Sequence, residues 1–299
     1  MKKVIAIVGP TAIGKTKISI SVAKHFGFDI ISADSVAVYK KLDIGSAKPT
    51  FEEMDGVKHY LVSELEPTEQ YTVQDFQTRA RQIIDNSSKP LIIAGGTGLY
   101  VQSVLYNYEF EAPNRDSSFE ENYKEIDNTE LYKMLLQKDQ TIADRIHPNN
   151  RKRILRALEI LETTDKSITT FNGSHDPYYD FYIIYLNVID RDILYKRIND
   201  RVDQMFDDGL LLEVASLNKE GIYPNAIGYK ELVPYFKKEI SLETAKEEIK
   251  KNSRHLAKRQ MTWFRNQMDT HFYNVNIDNI DETINIIIND LDKFLKEEK

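Results

Sequence analysis

The chain has 299 residues, no cysteine and a formal net charge of −7 at pH 7. This length allows a substantial core, while the lack of cysteine excludes disulfides and thiolate zinc sites and favours a reducing compartment. The sequence has no run of about 20 apolar residues, so we expect no membrane-spanning helix. Turn residues interrupt the apolar stretch after Met-Lys-Lys too early for a signal peptide, and we expect a cytoplasmic protein.

A complete phosphate-binding motif follows the first apolar segment. Residues 9–16 read Gly-Pro-Thr-Ala-Ile-Gly-Lys-Thr, which matches G-x-x-x-x-G-K-[ST], and a helical pattern begins at Lys15. In such a loop, backbone amides and a helix start bind a di- or triphosphate, Lys15 contacts an outer phosphate, and the Thr16 hydroxyl is suited to ligate Mg²⁺. We call residues 9–16 the phosphate loop. The motif alone does not identify the polyphosphate, and ATP remains open.

The first hundred residues alternate between strand and helix patterns. This alternation predicts an α/β fold with a parallel sheet, in which ligands bind at the carboxyl ends of the strands. The turns at 9–10, 33–35 and 95–97 are therefore expected to meet in one crevice. The strands are predicted at 4–8, 29–32 and 90–94, and the helices at 15–26 and 72–86.

The pattern changes after about residue 111. Residues 114–172 are polar, charged and helical in pattern, and strand character returns at 182–188. We therefore predict a P-loop NTPase-like parallel-sheet core with an all-helical insertion domain. The core comprises residues 1–111 and 176–299, the insertion comprises 112–175, and an amphipathic helix at 281–297 closes the chain.

Polar residues follow the second and third predicted strands. Asp34 ends the second strand, where a carboxylate beside the phosphate loop is suited to hold the Mg²⁺ shell or to act as a general base. The alternative is that it caps the next turn. The third strand runs into Gly95-Gly96-Thr97 without the acid by which phosphate-loop ATPases support Mg²⁺. The glycines allow a ligand to approach and Thr97 offers a hydroxyl, although a plain tight turn also explains them.

Arg197 and Arg201 lie one helical turn apart, just after the strand at 182–188. In nucleotide kinases and shikimate-type kinases, lid arginines in this region neutralise a departing polyphosphate through the guanidinium fork. The alternative is a solvated helix face on which these arginines pair with Asp192 or Asp200. The local sequence leaves both interpretations open.

Two basic runs contain no acid although the chain is acidic overall. They cover 145–158 and 249–268, and aromatic residues interleave with the second. Either run alone fits a solvated face, whereas the two together favour a nucleic-acid surface on which cations follow phosphates. The second run places Lys251, Arg254 and Lys258 on one helical face, with Arg265 two turns further on.

With these residues laid out, the chain resembles the tRNA isopentenyltransferase family. The similarity spans most of the chain, and its blocks occur in the family's order. They are Gly-Pro-Thr-Ala-x-Gly-Lys-Thr (9–16), Ser-Ala-Asp-Ser (32–35), Asp-Ile-Gly-Ser-Ala-Lys-Pro (43–49), Gly-Gly-Thr-Gly-Leu-Tyr (95–100), Arg-Ile-His-Pro-Asn (145–149), Arg-Ala-Leu-Glu (156–159), Ile-Gly-Tyr-Lys-Glu (227–231) and Ala-Lys-Arg-Gln-x-Thr-Trp-Phe-Arg (257–265).

The resemblance implies transfer of a dimethylallyl group from dimethylallyl diphosphate to the exocyclic N6 of the adenine immediately 3′ of the tRNA anticodon. The catalytic residues would then be Asp34, Thr16 and Lys15. Asp34 would accept the N6 proton and Thr16 would hold Mg²⁺, while Lys15, with the two arginines, would neutralise charge on the departing diphosphate. The implied diphosphate-binding residues are Gly9, Pro10, Thr11, Ala12, Ile13, Gly14, Lys15, Thr16, Arg197 and Arg201.

The same resemblance, together with the basic runs, predicts the tRNA contacts. The target adenine must leave the anticodon-loop stack to reach a buried donor. We expect the helical insertion to clamp the anticodon stem-loop, and we expect a monomer. The residues predicted to bind tRNA are Asp34, Ser35, Val36, Ala37, Thr97, Lys152, Arg153, Arg156, Gly228, Tyr229, Lys230, Lys251, Arg254, Lys258 and Arg265.

Departures from the family pattern and three alternatives accompany this interpretation. Ala37 stands where many family members have Gln, so it lacks that side chain's hydrogen bond to the substrate. An ATP-dependent small-molecule kinase would leave both basic runs unused, and an adenylate prenyltransferase would need neither the insertion nor the second run. A non-catalytic nucleic-acid-binding protein is opposed by the intact Lys15, Thr16 and Asp34.

Overall fold

The computed structural model describes residues 1–108, 117–164, 176–277 and 279–297. The chain divides into two compact units. Met1–Leu105 and Pro177–Lys299 form the first, here called the core unit, and Tyr106–Asp176 form the second, here called the insertion unit. The predicted domain boundaries at residues 112 and 175 lie outside the described residues.

An all-parallel sheet lies at the centre of the core unit. Within the described residues it has six strands in the order β3-β2-β4-β1-β5-β6. Val8 at the end of β1 is in register with Gly95 of β4, and Gly95 with Ala33 of β2. The turns that follow these three strands therefore begin side by side. The strands are β1 (Lys3–Val8), β2 (Ile30–Ala33), β3 (His59–Tyr60), β4 (Leu91–Gly95), β5 (Asp180–Asn187) and β6 (His271–Asn274).

The structure confirms the predicted α/β fold class and shifts the ends of the four predicted strands by one or two residues. The sequence analysis missed β3 and β6, which are the two edges of the sheet. An edge strand is covered less completely than a central one, so it needs no continuous apolar run. β3 has only two residues, and β6 contains the polar residues His271 and Asn274. Neither strand therefore forms the apolar run that predicts a buried strand.

Helices of the core unit surround the sheet, and no helix in the described ranges of the chain combines the length and apolarity needed to cross a bilayer. A 3₁₀ turn (Lys230–Leu232) precedes α11. The helices are α1 (Lys15–Phe26), α2 (Phe51–Met54), α3 (Val73–Asn86), α4 (Gly98–Leu105), α5 (Ser117–Asn122), α6 (Asn128–Lys138), α7 (Gln140–Ala143), α8 (Arg151–Thr164), α9 (Arg191–Asp207), α10 (Leu210–Lys219), α11 (Val233–Phe236), α12 (Leu242–Gln267) and α13 (Ile280–Lys296).

The main core lies around β1, whose residues 4–8 are completely buried. A parallel strand covered by helices on both faces must be apolar throughout, which is why this segment reads as an unbroken apolar run. α13 buries Ile284, Ile287 and Leu291 in the same cluster as α1 and the central strands. The predicted amphipathic closing helix is thus present, and its apolar face completes the core.

The insertion unit has its own core and contains only helices in its described part. Leu131 and Leu135 of α6 are fully buried with Leu158 of α8. Arg151, at the start of α8, donates through Nη1 to the Ile126 carbonyl at 2.6 Å and anchors the helix to the preceding loop. That basic residue therefore serves the fold of the unit.

Candidate active site

The phosphate loop connects β1 to α1, and two glycines determine its path. A Cβ on Gly9 would lie 2.8 Å from the carbonyl oxygen of Leu186 in β5, and its φ of 155° is one that other residues rarely adopt. Gly14 has a φ of 105° and caps the start of α1. Both positions therefore require glycine. The resulting turn directs the first amides of α1, which lack helical partners, to the end of the sheet.

Lys15 folds back over the phosphate loop. Its ammonium donates to the carbonyl of Pro10 at 2.8 Å and to that of Gly9 at 3.0 Å. Burial and the neighbouring Arg201 guanidinium lower the pKa of Lys15 to about 7, and the Asp34 carboxylate opposes the change. The site therefore carries excess positive charge, which an anion would stabilise.

The two arginines of α9 contact the phosphate loop, as expected for lid arginines and not for a solvated face. Arg197 Nε donates to the carbonyl of Ala12 at 3.0 Å. Arg201 Nη1 lies 3.5 Å from the Thr11 hydroxyl, and Nη2 donates to the Ala47 carbonyl at 3.0 Å. Burial lowers the pKa of Arg201, and Asp34 opposes this shift. These guanidinium groups and Lys15 place three cations around one short loop.

Asp34 follows β2 and organises the turn after it. Its Oδ1 accepts the amides of Val36 at 2.8 Å and Ala37 at 3.2 Å, so the residue does cap the turn. Oδ2 has no hydrogen-bond partner among the described residues. The carboxylate opposes the lowering of the pKa of both Lys15 and Arg201, so it lies within electrostatic reach of the phosphate loop. Capping and a role in chemistry are thus compatible.

The turn after β4 lies against the end of β2. A Cβ on Gly95 would clash with the backbone of Ala33, which explains the glycine there. The Thr97 amide donates to the Ala33 carbonyl at 3.2 Å, and the Thr97 carbonyl accepts the amide of Tyr100 in α4 at 3.0 Å. Thr97 is partly exposed, and the residue that its amide contacts, Ala33, directly precedes Asp34 in the chain. The predicted grouping of these turns is therefore present.

Two residues of α12, Gln260 and Trp263, contact the site, and the sequence predicted neither contact, since Trp263 stands out only as an aromatic residue of the second basic run. Gln260 Oε1 accepts the Thr11 amide at 2.9 Å. A Cβ on Gly96 would clash with the Gln260 amide, and one on Gly98 would clash with the indole of Trp263. The 257–265 block contains both residues, but nothing local indicates which loop they contact.

The structure corrects the predicted tRNA contact of the Tyr229 side chain. The ring is fully buried, and its hydroxyl donates to Glu213 Oε1 at 2.7 Å. Gly228 is also buried, and its amide donates to Glu231 Oε2 at 2.9 Å. Lys230 is the exposed residue of this predicted group. The Tyr229 ring therefore belongs to the core.

Glu213 explains what Tyr229 does for the site. Its carboxylate accepts the amides of Asp43 at 3.0 Å, Ile44 at 2.8 Å and Gly45 at 3.1 Å. This holds the loop whose Ala47 carbonyl accepts Arg201. Glu213, a residue that the sequence analysis missed, therefore helps to orient a cation at the phosphate loop.

The predicted tRNA contacts at 35–37 differ in exposure. Ser35 is exposed and Val36 is partly exposed. Ala37 is only 3% exposed, so a tRNA contact at this position would not come from its methyl group. Its carbonyl instead accepts the Ser63 amide at 2.9 Å. Ser35 is therefore the most accessible of the three residues.

The basic side chains of α12 do not form one free surface. Lys251 pairs with Glu248 at 3.0 Å, and Arg254 donates to Asn199 of α9 at 2.6 Å. Arg265 is exposed but donates to Asn187 at 2.8 Å. Lys258 is exposed and has no acidic partner among the described residues. The predicted face therefore contains one free cation, one surface ion pair and two cations that also tie α12 to its neighbours.

The basic residues of α8 in the insertion unit also differ in their surroundings. Lys152 and Arg153 are exposed. Arg156 pairs with Glu159 at 2.7 Å, and that glutamate side chain is only 4% exposed. Arg156 therefore compensates a buried carboxylate, whereas the first two are available to an anionic partner.

The described residues contain no group of three or more His, Asp or Glu side chains suited to hold a metal. The site still fits Mg²⁺, because Mg²⁺ often takes only one or two protein ligands and completes its shell with phosphate oxygens and water. Thr16 lies in the first turn of α1, and its hydroxyl has no partner among the described residues. Hydroxyl oxygen is a suitable ligand for this hard cation.

The chain matches the family model described as IPP transferase over residues 37–267. It is 44% identical to a tRNA dimethylallyltransferase of Oceanobacillus iheyensis, and the alignment covers 98% of each chain. It is 47% identical to the tRNA dimethylallyltransferase of Enterococcus faecalis, with 92% of each chain covered. The family model begins after β2 and the phosphate loop, whereas the alignment with the Oceanobacillus iheyensis protein covers nearly the whole chain.

Two solved structures show the same fold. A tRNA isopentenylpyrophosphate transferase from Staphylococcus epidermidis gives a TM-score of 0.72 at 42% identity and covers 98% of this chain and 100% of its own. A eukaryotic dimethylallyltransferase described as acting on tRNA gives a TM-score of 0.83 at 27% identity, covering 98% of this chain and 80% of its own.

Proposed function

The chain belongs to the IPP transferase family, and on this premise we propose that it is a tRNA dimethylallyltransferase. It transfers a dimethylallyl group from dimethylallyl diphosphate to N6 of the adenine immediately 3′ of the anticodon. The C1–oxygen bond of the donor breaks, a C1–N6 bond forms, and diphosphate leaves. The observation that carries this proposal is a phosphate loop surrounded by Lys15, Arg197 and Arg201, with the Asp34 carboxylate at the next strand.

Stabilisation of the leaving group is the task of the three cations. Negative charge grows on diphosphate as the allylic bond breaks, so fixed positive groups lower the barrier most at that moment. Lys15 reaches across the loop, while α9 supplies both guanidinium groups from one face. Charge neutralisation of this kind suits a diphosphate that departs, and it needs no acid after β4.

Mg²⁺ is the cofactor that we assign to this site. Thr16 would hold it through the side-chain hydroxyl, with diphosphate oxygens and water as further ligands. When bound, the ion would supply additional positive charge to the leaving group. The phosphate loop and the first turn of α1, which contains Thr16, hold the Thr16 hydroxyl at the end of the sheet.

Asp34 is the base of the proposed reaction. Its Oδ1 is fixed by the turn amides, which leaves Oδ2 to accept the N6 proton as the amine attacks C1. Because Oδ1 is already bonded, the carboxylate has a defined orientation before the substrate arrives. This pre-organisation reduces the cost of aligning the base with the bound adenine.

The acceptor tRNA binds through the exposed cations of both units. In the core unit these include Lys258 and Arg265 of α12, and in the insertion unit Lys152 and Arg153 of α8. Such side chains bind phosphates and release condensed counterions. The adenine leaves its stack to reach the base, which is the general solution for chemistry on a base. We assign a monomeric, cytoplasmic enzyme to this substrate.

One experiment tests the proposed function. The protein is incubated with radiolabelled dimethylallyl diphosphate, Mg²⁺ and ATP, together with unmodified tRNA or with AMP. We expect acid-stable label in the tRNA alone. Label in AMP would assign the activity to an adenylate prenyltransferase, and consumption of ATP without label transfer would assign it to a kinase; either result would overturn the proposal.

A further inference from the structure

Gln260 of α12 lies between the two turns that form the site. Its Oε1 accepts the Thr11 amide at 2.9 Å. Its amide nitrogen lies so close to Gly96 that a Cβ there would clash with it. Gln260 therefore touches the phosphate loop on one side and the turn after β4 on the other, although it lies 249 positions from Thr11 in the chain.

The same short segment of the phosphate loop is also held by α9. Arg197 donates to the Ala12 carbonyl at 3.0 Å, and Arg201 lies 3.5 Å from the Thr11 hydroxyl. Arg254 of α12 donates to Asn199 of α9 at 2.6 Å, which links the two helices. Residues 11–12 are therefore fixed by hydrogen bonds from both helices.

This segment needs external support because its backbone is strained. Ala12 has a φ of 63°, a left-handed conformation that is unfavourable for residues other than glycine. Gly9 and Gly14 on either side add backbone freedom that must be lost when the amides converge on a phosphate. A side chain that accepts the Thr11 amide compensates part of both costs.

We propose that Gln260 is a positioning residue for the diphosphate. By holding the Thr11 amide it keeps the phosphate loop in the conformation that binds the leaving group, without touching a reacting atom. This inference rests on the proposed function, because it takes diphosphate as the ligand of the loop. It gives α12 a task at the donor site as well as at the tRNA surface.

The test replaces Gln260 with methionine, which preserves the length of the side chain and removes the acceptor. In Gln260→Met we expect the Kd for inorganic diphosphate and the KM for dimethylallyl diphosphate to rise about tenfold, the scale of one lost hydrogen bond to a binding loop. The KM for tRNA should stay within about twofold of the parent value. Deuterium exchange of residues 9–14 should become faster.

Gln267→Met is the matched control, because it makes the same change at an exposed position of the same helix. It should behave like the parent in every measurement. An unchanged Kd for diphosphate in Gln260→Met, or an equal rise in both KM values, would overturn the inference. Diphosphate binding is measured without turnover, so this failure is distinct from a parent enzyme that transfers no label.

Discussion

Asp34 carries two oxygens whose surroundings differ. Oδ1 accepts the amides of Val36 and Ala37, and Oδ2 has no partner among the described residues. A residue that served only the turn would need one acceptor oxygen and no negative charge. A general base needs the charge and a free lone pair. Substitution with asparagine separates these tasks, because Asn retains the acceptor and loses the basic carboxylate.

We expect Asp34→Asn to lower the single-turnover rate of transfer by about 10²- to 10⁴-fold, the usual contribution of a general base. Its Kd for tRNA should stay within about threefold, because the turn keeps its acceptor oxygen. Asp34→Ala should lose both the base and the turn. If Asp34→Asn instead transferred at nearly the parent rate while Asp34→Ala did not, the residue would serve only the turn.

Lys15 has a lowered pKa. Burial and Arg201 lower its pKa to about 7 from the ordinary value of 10.5, so above pH 7 the ammonium is largely neutral in the absence of an anion. Bound diphosphate favours the charged form and raises this pKa again. Binding above pH 7 must therefore take up a proton, and the affinity for diphosphate should fall as pH rises from 7.

We expect Lys15 to take up about 0.9 proton when diphosphate binds at pH 8, one pH unit above its pKa. Calorimetry in two buffers of different ionisation enthalpy measures this uptake. Lys15→Arg is the control, because a guanidinium remains protonated in both states. Protonation of the ligand is common to both proteins and cancels in the difference. Equal uptake by the two proteins would contradict the altered pKa.

At the scale of elements, α9 and α12 place their side chains on a loop that lies far from them in the chain. The sequence predicted the phosphate loop because its motif is contiguous, and it predicted the arginines of α9 because the returning strand at 182–188 locates them. It did not predict Gln260 or Glu213. Their contacts join positions 249 and about 170 residues apart, and local patterns contain no information on such pairs.

Tyr229 and Ala37 show the converse limit. The family resemblance predicts tRNA contacts at both positions, Tyr229 within the 227–231 block and Ala37 two residues after the 32–35 block. The structure buries both side chains. The Tyr229 ring packs against Gly45, and its hydroxyl donates to Glu213. A motif reports that a position matters for the site without reporting which way its side chain points.

The surface of α12 gives a prediction at this scale. Lys258 is exposed without an acidic partner among the described residues, so it is available to an RNA phosphate. We expect Lys258→Gln to reduce the slope of log K for tRNA against log salt concentration by about 0.7–0.9. Lys293→Gln, on the exposed face of α13, is the control and should leave the slope unchanged. An unchanged slope in Lys258→Gln would show that Lys258 does not contact an RNA phosphate.

At the scale of the whole molecule, the chain is acidic overall and yet presents cations in both units. The core unit contains the phosphate loop, Asp34 and the helices that hold them, and its sheet is complete without the insertion unit. The chain leaves and re-enters the core unit at one place, because the Tyr178 amide donates to the Leu105 carbonyl at 2.8 Å. Donor binding and the acceptor contacts of the insertion unit are therefore separable by deletion.

Replacement of residues 107–176 with Gly-Ser-Gly should leave a core unit that unfolds cooperatively in urea, since the hydrogen bond between Tyr178 and Leu105 already closes the gap. We expect its Kd for diphosphate to stay within about twofold, because the contacts to the phosphate loop from Lys15, Arg197, Arg201 and Gln260 all lie in the core unit. Its affinity for tRNA should fall by at least about tenfold, with a shallower salt dependence, since Lys152 and Arg153 are lost. The double variant Lys152→Gln/Arg153→Gln in the full chain should reproduce part of that loss. Full tRNA affinity in the deletion variant would show that the insertion unit does not bind the acceptor.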